Sequence, residues 1–269
     1  MKFLLSALIL IFTPIMAFSY TEANVFQKIE KDLDSIIVKD LTKKQLIFSK
    51  DANQQVSPAS LTKIMTAILA IESNKMDSVV TITADMKKVE PTILGFKVGE
   101  KIYLRDLVNA ALIRSANDAA NSIAIYLGNG DKQKFVNMMN AKAKKLGMTK
   151  TTFQNPCGFD AKNHKSTASD LLKLTEYAIK NSTFNAIVRK NSYSFKAINT
   201  KRTYTVYTSN KLQPKEKYMI GVKTGYTNQA GPCLIARAKE GKKDILLVML
   251  NSQNRWENTK LALDTILNK

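Results

Sequence analysis

A chain of 269 residues, 45% of them hydrophobic, can bury a substantial core, and its single histidine and two cysteines argue against a His/Cys zinc site and a disulfide framework while leaving one Cys157–Cys233 bridge open. Its 41 basic and 22 acidic residues give a net charge of +19, a field that favours an anionic partner. The lysines are scattered (Lys142, Lys144, Lys145, Lys150, Lys162, Lys165) without interleaved aromatics, so nucleic acid is not the expected partner.

Met1-Lys2 followed by the apolar run Phe3 to Ile15 reads as an export signal, with Ala17-Phe18-Ser19 placing cleavage after Ser19. That run is shorter than the ~20 apolar residues of a membrane-spanning helix. Residues 20–269 are then expected to form one domain. Ile36-Ile37-Val38 and Leu46-Ile47-Phe48 flank a polar stretch and predict a β-hairpin. Ser60 to Glu72 is apolar nearly all round, which predicts a buried helix. Leu104 to Ile113 and Ala119 to Leu127 predict two more, broken by the polar Arg114 to Asp118. A helix from Asp131 to Leu146 stops at Gly147, and Thr167 caps another running to about Lys180. Strand-like runs follow at Met219 to Lys223, Cys233 to Ala238 and Ile245 to Leu250, then an amphipathic helix from Trp256 to Leu267. Strands at both ends with helices between them predict a mixed α+β domain. Its N- and C-terminal strands would share an antiparallel sheet with flanking helices and an inserted helical lobe. The crease between sheet and lobe is the expected cleft.

Three short motifs carry chemistry. In Ser60-Leu61-Thr62-Lys63 a hydroxyl and an amine one helical turn apart share a face, and burial of the lysine would favour its neutral, proton-accepting form. Ser115-Ala116-Asn117 lies in the break between two helices, where the hydroxyl can relay a proton and the amide can hold a peptide carbonyl or Lys63. Lys223-Thr224-Gly225 is expected at a strand end. There the lysine supplies a charge for a carboxylate, Thr224 a hydroxyl, and Gly225 close backbone approach. Tyr226 would add a backbone N–H to an oxyanion hole shared with Ser60. Each motif alone also reads as an N-cap, an interhelical turn or a strand end; the set, in this order, is the signature of penicillin-binding proteins and β-lactamases.

The chain resembles the serine-type D-alanyl-D-alanine carboxypeptidases, the low-molecular-mass penicillin-binding proteins. Besides the three motifs, Met139 to Ala143 with Leu146-Gly147-Met148, His164 to Leu171 and Gly221 to Thr227 carry the likeness. The resemblance implies a β-lactamase/transpeptidase-like fold, no cofactor, and Ser60 as nucleophile with Lys63 as base. It further implies Ser115 and Asn117 for proton relay and peptide positioning, and Lys223 with Thr224 for the terminal carboxylate. The substrate implied is a peptidoglycan stem peptide in the periplasm, with β-lactams as covalent inhibitors. Cys157-Gly158-Phe159 departs from the family pattern, a change expected to touch packing and leave the chemistry alone. No added β-rich domain or anchoring helix is expected after the final helix, so membrane attachment is not carried over from the resemblance. His164 is expected to be structural, since no Gly-x-Ser-x-Gly elbow accompanies it. The rivals are a β-lactamase, disfavoured by the missing Glu-x-x-Leu-Asn, an endopeptidase of the same fold, and a non-catalytic wall-binding or β-lactam-sensing module.

Overall fold

The computed structural model describes residues 20–268; the export signal read at residues 1–19 lies outside them. Its centre is a five-stranded antiparallel sheet in the order β2-β1-β9-β8-β7. The strands are β1 (Ser35–Asp40), β2 (Gln45–Lys50), β7 (Met219–Thr227), β8 (Gly231–Glu240) and β9 (Lys243–Leu250). The Asp40 carboxylate accepts the N–H groups of Thr42 (2.8 Å) and Lys43 (2.9 Å), which closes the first hairpin locally. β1 pairs with β2 on one side and β9 on the other, so the early and late strands share one sheet as expected.

Why the inner strands read as unbroken apolar runs is now clear: both faces of the sheet are covered. Ile36 and Val38 enter one core cluster while Ile37 enters the other. On β9, Ile245, Leu247 and Met249 alternate in the same way with Leu246, Val248 and Leu250. One face packs on α1 (Tyr20–Ile29) and α8 (Arg255–Leu267), the latter through Ala262, Leu263, Ile266 and Leu267. The other packs on the lobe, built from α2 (Lys63–Glu72), α3 (Leu104–Ile113), α4 (Asn117–Leu127), α5 (Lys132–Lys145), α6 (Ala168–Ala178) and α7 (Ser182–Val188). The expected caps form: the Asp131 side chain accepts Gln133 and Lys134 N–H groups, and Thr167 accepts the Asp170 N–H.

Two two-stranded ribbons, β3 (Val79–Thr81) with β4 (Lys101–Tyr103) and β5 (Ser192–Lys196) with β6 (Thr203–Tyr207), were not anticipated. The first has three residues per strand, too few for a period-2 pattern to register. The helix expected from Ser60 also begins differently, since Ala59–Thr62 is a 3-10 turn and the α-helix starts at Lys63. Among the described residues no helix is long and apolar enough to cross a membrane.

Candidate active site

The 3-10 turn carrying Ser60 sits where the buried helix α2 meets β7, the edge strand of the sheet. Its tightness brings Ser60 over Lys63: the Lys63 Nζ donates to Ser60 Oγ at 2.7 Å and to the Cys157 carbonyl at 2.6 Å. Lys63 is fully buried. Desolvation by burial lowers its pKa from 10.5 to about 8, partly opposed by Cys157. A neutral amine retains two N–H donors, so it can hold the Cys157 carbonyl and turn its lone pair to the Ser60 hydroxyl.

The Cys157-Gly158-Phe159 segment thus meets Ser60 and Lys63 through a main-chain carbonyl, a contact beyond the packing expected of it and one that does not depend on which side chain stands at 157. The Asn155 Oδ1 accepts three successive N–H groups, from Cys157 (3.1 Å), Gly158 (2.7 Å) and Phe159 (3.0 Å), and this folds the loop over Lys63. Gly158 has φ +89, and a Cβ there would lie 1.8 Å from the Ala59 carbonyl oxygen and 2.8 Å from the Ser60 nitrogen. Gly158→Ala is thus expected to push the turn aside at a cost of at least about 3 kcal/mol. Thermal unfolding should show a midpoint lower by roughly 6–12 °C. Gly147→Ala, at φ +67 with open space around it, is the control for backbone strain alone. Equal midpoints for the two variants would refute the steric argument.

Lys223, Thr224 and Gly225 lie inside β7, which continues to Thr227, rather than at a strand end. A Cβ on Gly225 would come 3.1 Å from the Ala59 Cβ and 3.3 Å from the Ser60 nitrogen, so the missing side chain lets the strand press on the Ser60 turn. Tyr226 pairs with Pro232, which has no N–H and whose carbonyl accepts the Ser252 N–H at 2.8 Å on the opposite side. The Tyr226 N–H accordingly points off the free edge of the sheet. Ser60, second in its 3-10 turn, also has an N–H without an acceptor one turn back. Two donors can thus meet one oxygen above Ser60.

These groups face a cleft of about 500 Å³ whose lining includes Ser60, Ser115, Asn117, Ser209, Thr224 and Arg255. Ser115 has φ +68, and its hydroxyl makes no hydrogen bond to the described residues. Asn117 Nδ2 donates to the Glu90 carbonyl at 2.9 Å and its N–H to the Thr92 carbonyl at 2.7 Å. The amide expected to hold substrate or Lys63 is therefore partly engaged in fixing the cleft wall. Lys223 is buried beneath the cleft rather than lining it, and its Nζ donates to the Thr224 carbonyl at 2.9 Å. Burial, then the charges of Lys63 and Arg255, hold its pKa well below the ordinary value.

Arg255 and Ser209 escaped the sequence reading. The Arg255 Nη1 donates to the Gly225 (2.7 Å) and Cys233 (3.1 Å) carbonyls, which places a guanidinium on the cleft surface beside Thr224. The Ser209 and Thr224 hydroxyls lie 2.6 Å apart. His164 is buried and does not line the cleft. Its Nδ1 accepts the Gln154 N–H at 2.9 Å, so Nε2 bears the proton and donates to Thr62 Oγ1 at 2.9 Å. Burial pushes its pKa down to about 4, so it is neutral at physiological pH. Cys157 and Cys233 are both free and buried, and no bridge joins them.

A serine beside a desolvated lysine, under a sheet edge and against a helical lobe, is the arrangement of the penicillin-binding, β-lactamase-like fold. Residues 22–254 match the Peptidase S11 model, described as D-alanyl-D-alanine carboxypeptidase, and the chain belongs to that family. It is 29% identical to the D-alanyl-D-alanine carboxypeptidase DacF of Bacillus subtilis, over 94% of this chain and 66% of the relative. It is 31% identical to the D-alanyl-D-alanine endopeptidase of Escherichia coli, over 82% of this chain and 72% of the relative. The crystal structure of a D-alanyl-D-alanine carboxypeptidase from Mycobacterium tuberculosis superposes with a TM-score of 0.82 at 29% identity, covering 88% of this chain and 92% of that one. The chain spans between 58% and 66% of the length of the first curated carboxypeptidases it matches.

Proposed function

We propose that this protein is a serine D-alanyl-D-alanine carboxypeptidase acting on peptidoglycan stem peptides outside the cytoplasm. The observation that carries the reading is the Ser60 hydroxyl 2.7 Å from the amine of a fully buried Lys63, on the floor of a cleft edged by β7. The neutral Lys63 takes the Ser60 proton as the hydroxyl oxygen attacks the penultimate D-alanine carbonyl. The Ser60 and Tyr226 N–H groups receive the oxyanion. Collapse expels D-alanine, whose amine takes back the proton by way of Ser115, and water then hydrolyses the ester to regenerate Ser60. Asn117 holds the peptide from the wall of the cleft. Thr224, Ser209 and Arg255 receive the terminal carboxylate, with Lys223 beneath them bracing the strand through the Thr224 carbonyl. A β-lactam mimics the dipeptide and leaves an acyl group on Ser60. The leader read at Phe3 to Ile15 supports export to the periplasm.

The test supplies diacetyl-L-Lys-D-Ala-D-Ala and a cross-linked muropeptide dimer in parallel. Faster release of free D-alanine supports the carboxypeptidase. Faster cleavage of the dimer supports the endopeptidase reading that one relative's name favours. Turnover of neither, with no β-lactam adduct by intact mass, sinks the proposal.

A further inference from the structure

Two backbone donors on separate segments can stabilise one oxygen only if something fixes their separation. Asp160 touches both segments. Its Oδ1 accepts the Ser57 hydroxyl at 2.9 Å and the Thr227 hydroxyl at 2.7 Å, and its Oδ2 accepts the Gln229 N–H at 3.1 Å. Ser57 lies three residues before Ser60, and Thr227 directly follows Tyr226. The carboxylate itself stands two residues after Gly158, whose backbone presses on the Ala59–Ser60 peptide. Thr227 Oγ1 in turn accepts the Ala230 N–H at 3.0 Å, which ties the turn after β7 into the same set.

We infer that Asp160 is a positioning residue that sets the gap between the Ser60 and Tyr226 N–H groups. The inference rests on the function proposed above. Asp160 is exposed, and no lysine or arginine pairs with it among the described residues, so its protein partners are the Ser57 and Thr227 hydroxyls and the Gln229 N–H. Burial would raise its pKa, but the bonds from Thr227, the Gln229 N–H and Ser57 outweigh that and keep it below the ordinary carboxylate value. An asparagine can still accept the two hydroxyls through one oxygen. Its NH₂ group would then face the Gln229 N–H, donor against donor. Alanine removes all three bonds. Because geometric precision at the reacting centre is what suffers, binding of the unreacted ligand should change little.

The experiment is stopped-flow acylation by a β-lactam, which separates the non-covalent dissociation constant from the acylation rate constant. Asp160→Asn is expected to slow acylation about 10-fold and Asp160→Ala about 100-fold, a range set by the effects of misplacing a reacting group or losing an oxyanion donor. The dissociation constant should stay within about threefold and the burst amplitude per mole of protein should be unchanged. Loss of amplitude at an unchanged rate would mean that the carboxylate serves only folding, and would overturn the inference. So would an alanine variant acylating within threefold of wild type. If the wild-type protein forms no adduct at all, the proposed function fails and the inference goes with it; an adduct with wild type and unaffected variants defeats the inference alone.

Discussion

Ser60→Ala is expected to release no measurable D-alanine from diacetyl-L-Lys-D-Ala-D-Ala and to form no covalent adduct with a β-lactam. Removing the nucleophile of such a site costs about 10⁵-fold or more, because the remaining groups stabilise an oxyanion that no longer forms. The lost atom accepts the Lys63 bond at 2.7 Å and donates only a long one, 3.4 Å, to the Cys157 carbonyl. Lys63 keeps its 2.6 Å bond to that carbonyl. Stability should therefore shift by no more than about 1 kcal/mol. Intact mass after antibiotic treatment gives the clearest measurement: an unchanged mass for the alanine variant beside an acylated wild type. Acylation of both proteins would place the nucleophile elsewhere.

Lys63→Met should slow acylation by about 10³-fold, the middle of the range for loss of a positioned base. The pH profile of the wild type tests the same group. With Lys63 titrating near 8, the proton-accepting amine is the minority form at neutral pH. The rate should therefore climb roughly tenfold per pH unit up to about 8 and then level off. Stability carries an independent sign. Between about 8 and 10.5 the unfolded chain holds a proton that the folded chain has lost, so wild-type stability increases with pH across that window. Below it, burial of the ammonium opposes folding. Lys63→Met, which fills the same space without a charge, is expected to be more stable near pH 7 by about 1–3 kcal/mol. A methionine variant that unfolds earlier than wild type at neutral pH would contradict the desolvation argument.

The sheet and most of the lobe were legible because burial on two faces writes itself as apolar runs, as in Ile245 to Leu250, and because Asp131, Gly147 and Thr167 mark helix ends. The proximity of Ser60 and Lys63 was legible too, since a hydroxyl and an amine three residues apart share a helical face whether the turn is α or 3-10. What stayed hidden has a common cause. The bond from Lys63 ends on a main-chain oxygen, so nothing in the identity of Cys157 announces it. Asn117 was read from its side-chain chemistry alone, and only the folded chain shows part of that amide turned to the Glu90 carbonyl. Arg255 lies 32 residues beyond Lys223 in no recognisable pattern, and the packing of α8 under the sheet brings it to the cleft. Lys223 was expected at a strand end with its charge turned to a carboxylate; it stands in mid-strand instead, with its amine sheltered below the cleft.

The position of β1 between β2 and β9 has a consequence for how the protein comes into being. Ile37 cannot meet Val248 until more than two hundred intervening residues have left the ribosome. The gap beside Ser60 likewise stays open until Gly225 arrives. A partly synthesised chain thus lacks the seam that completes the sheet, and the cleft beside Ser60 is not walled until β7 and Arg255 have been made. Late closure of this kind keeps a chain pliable while it is being made.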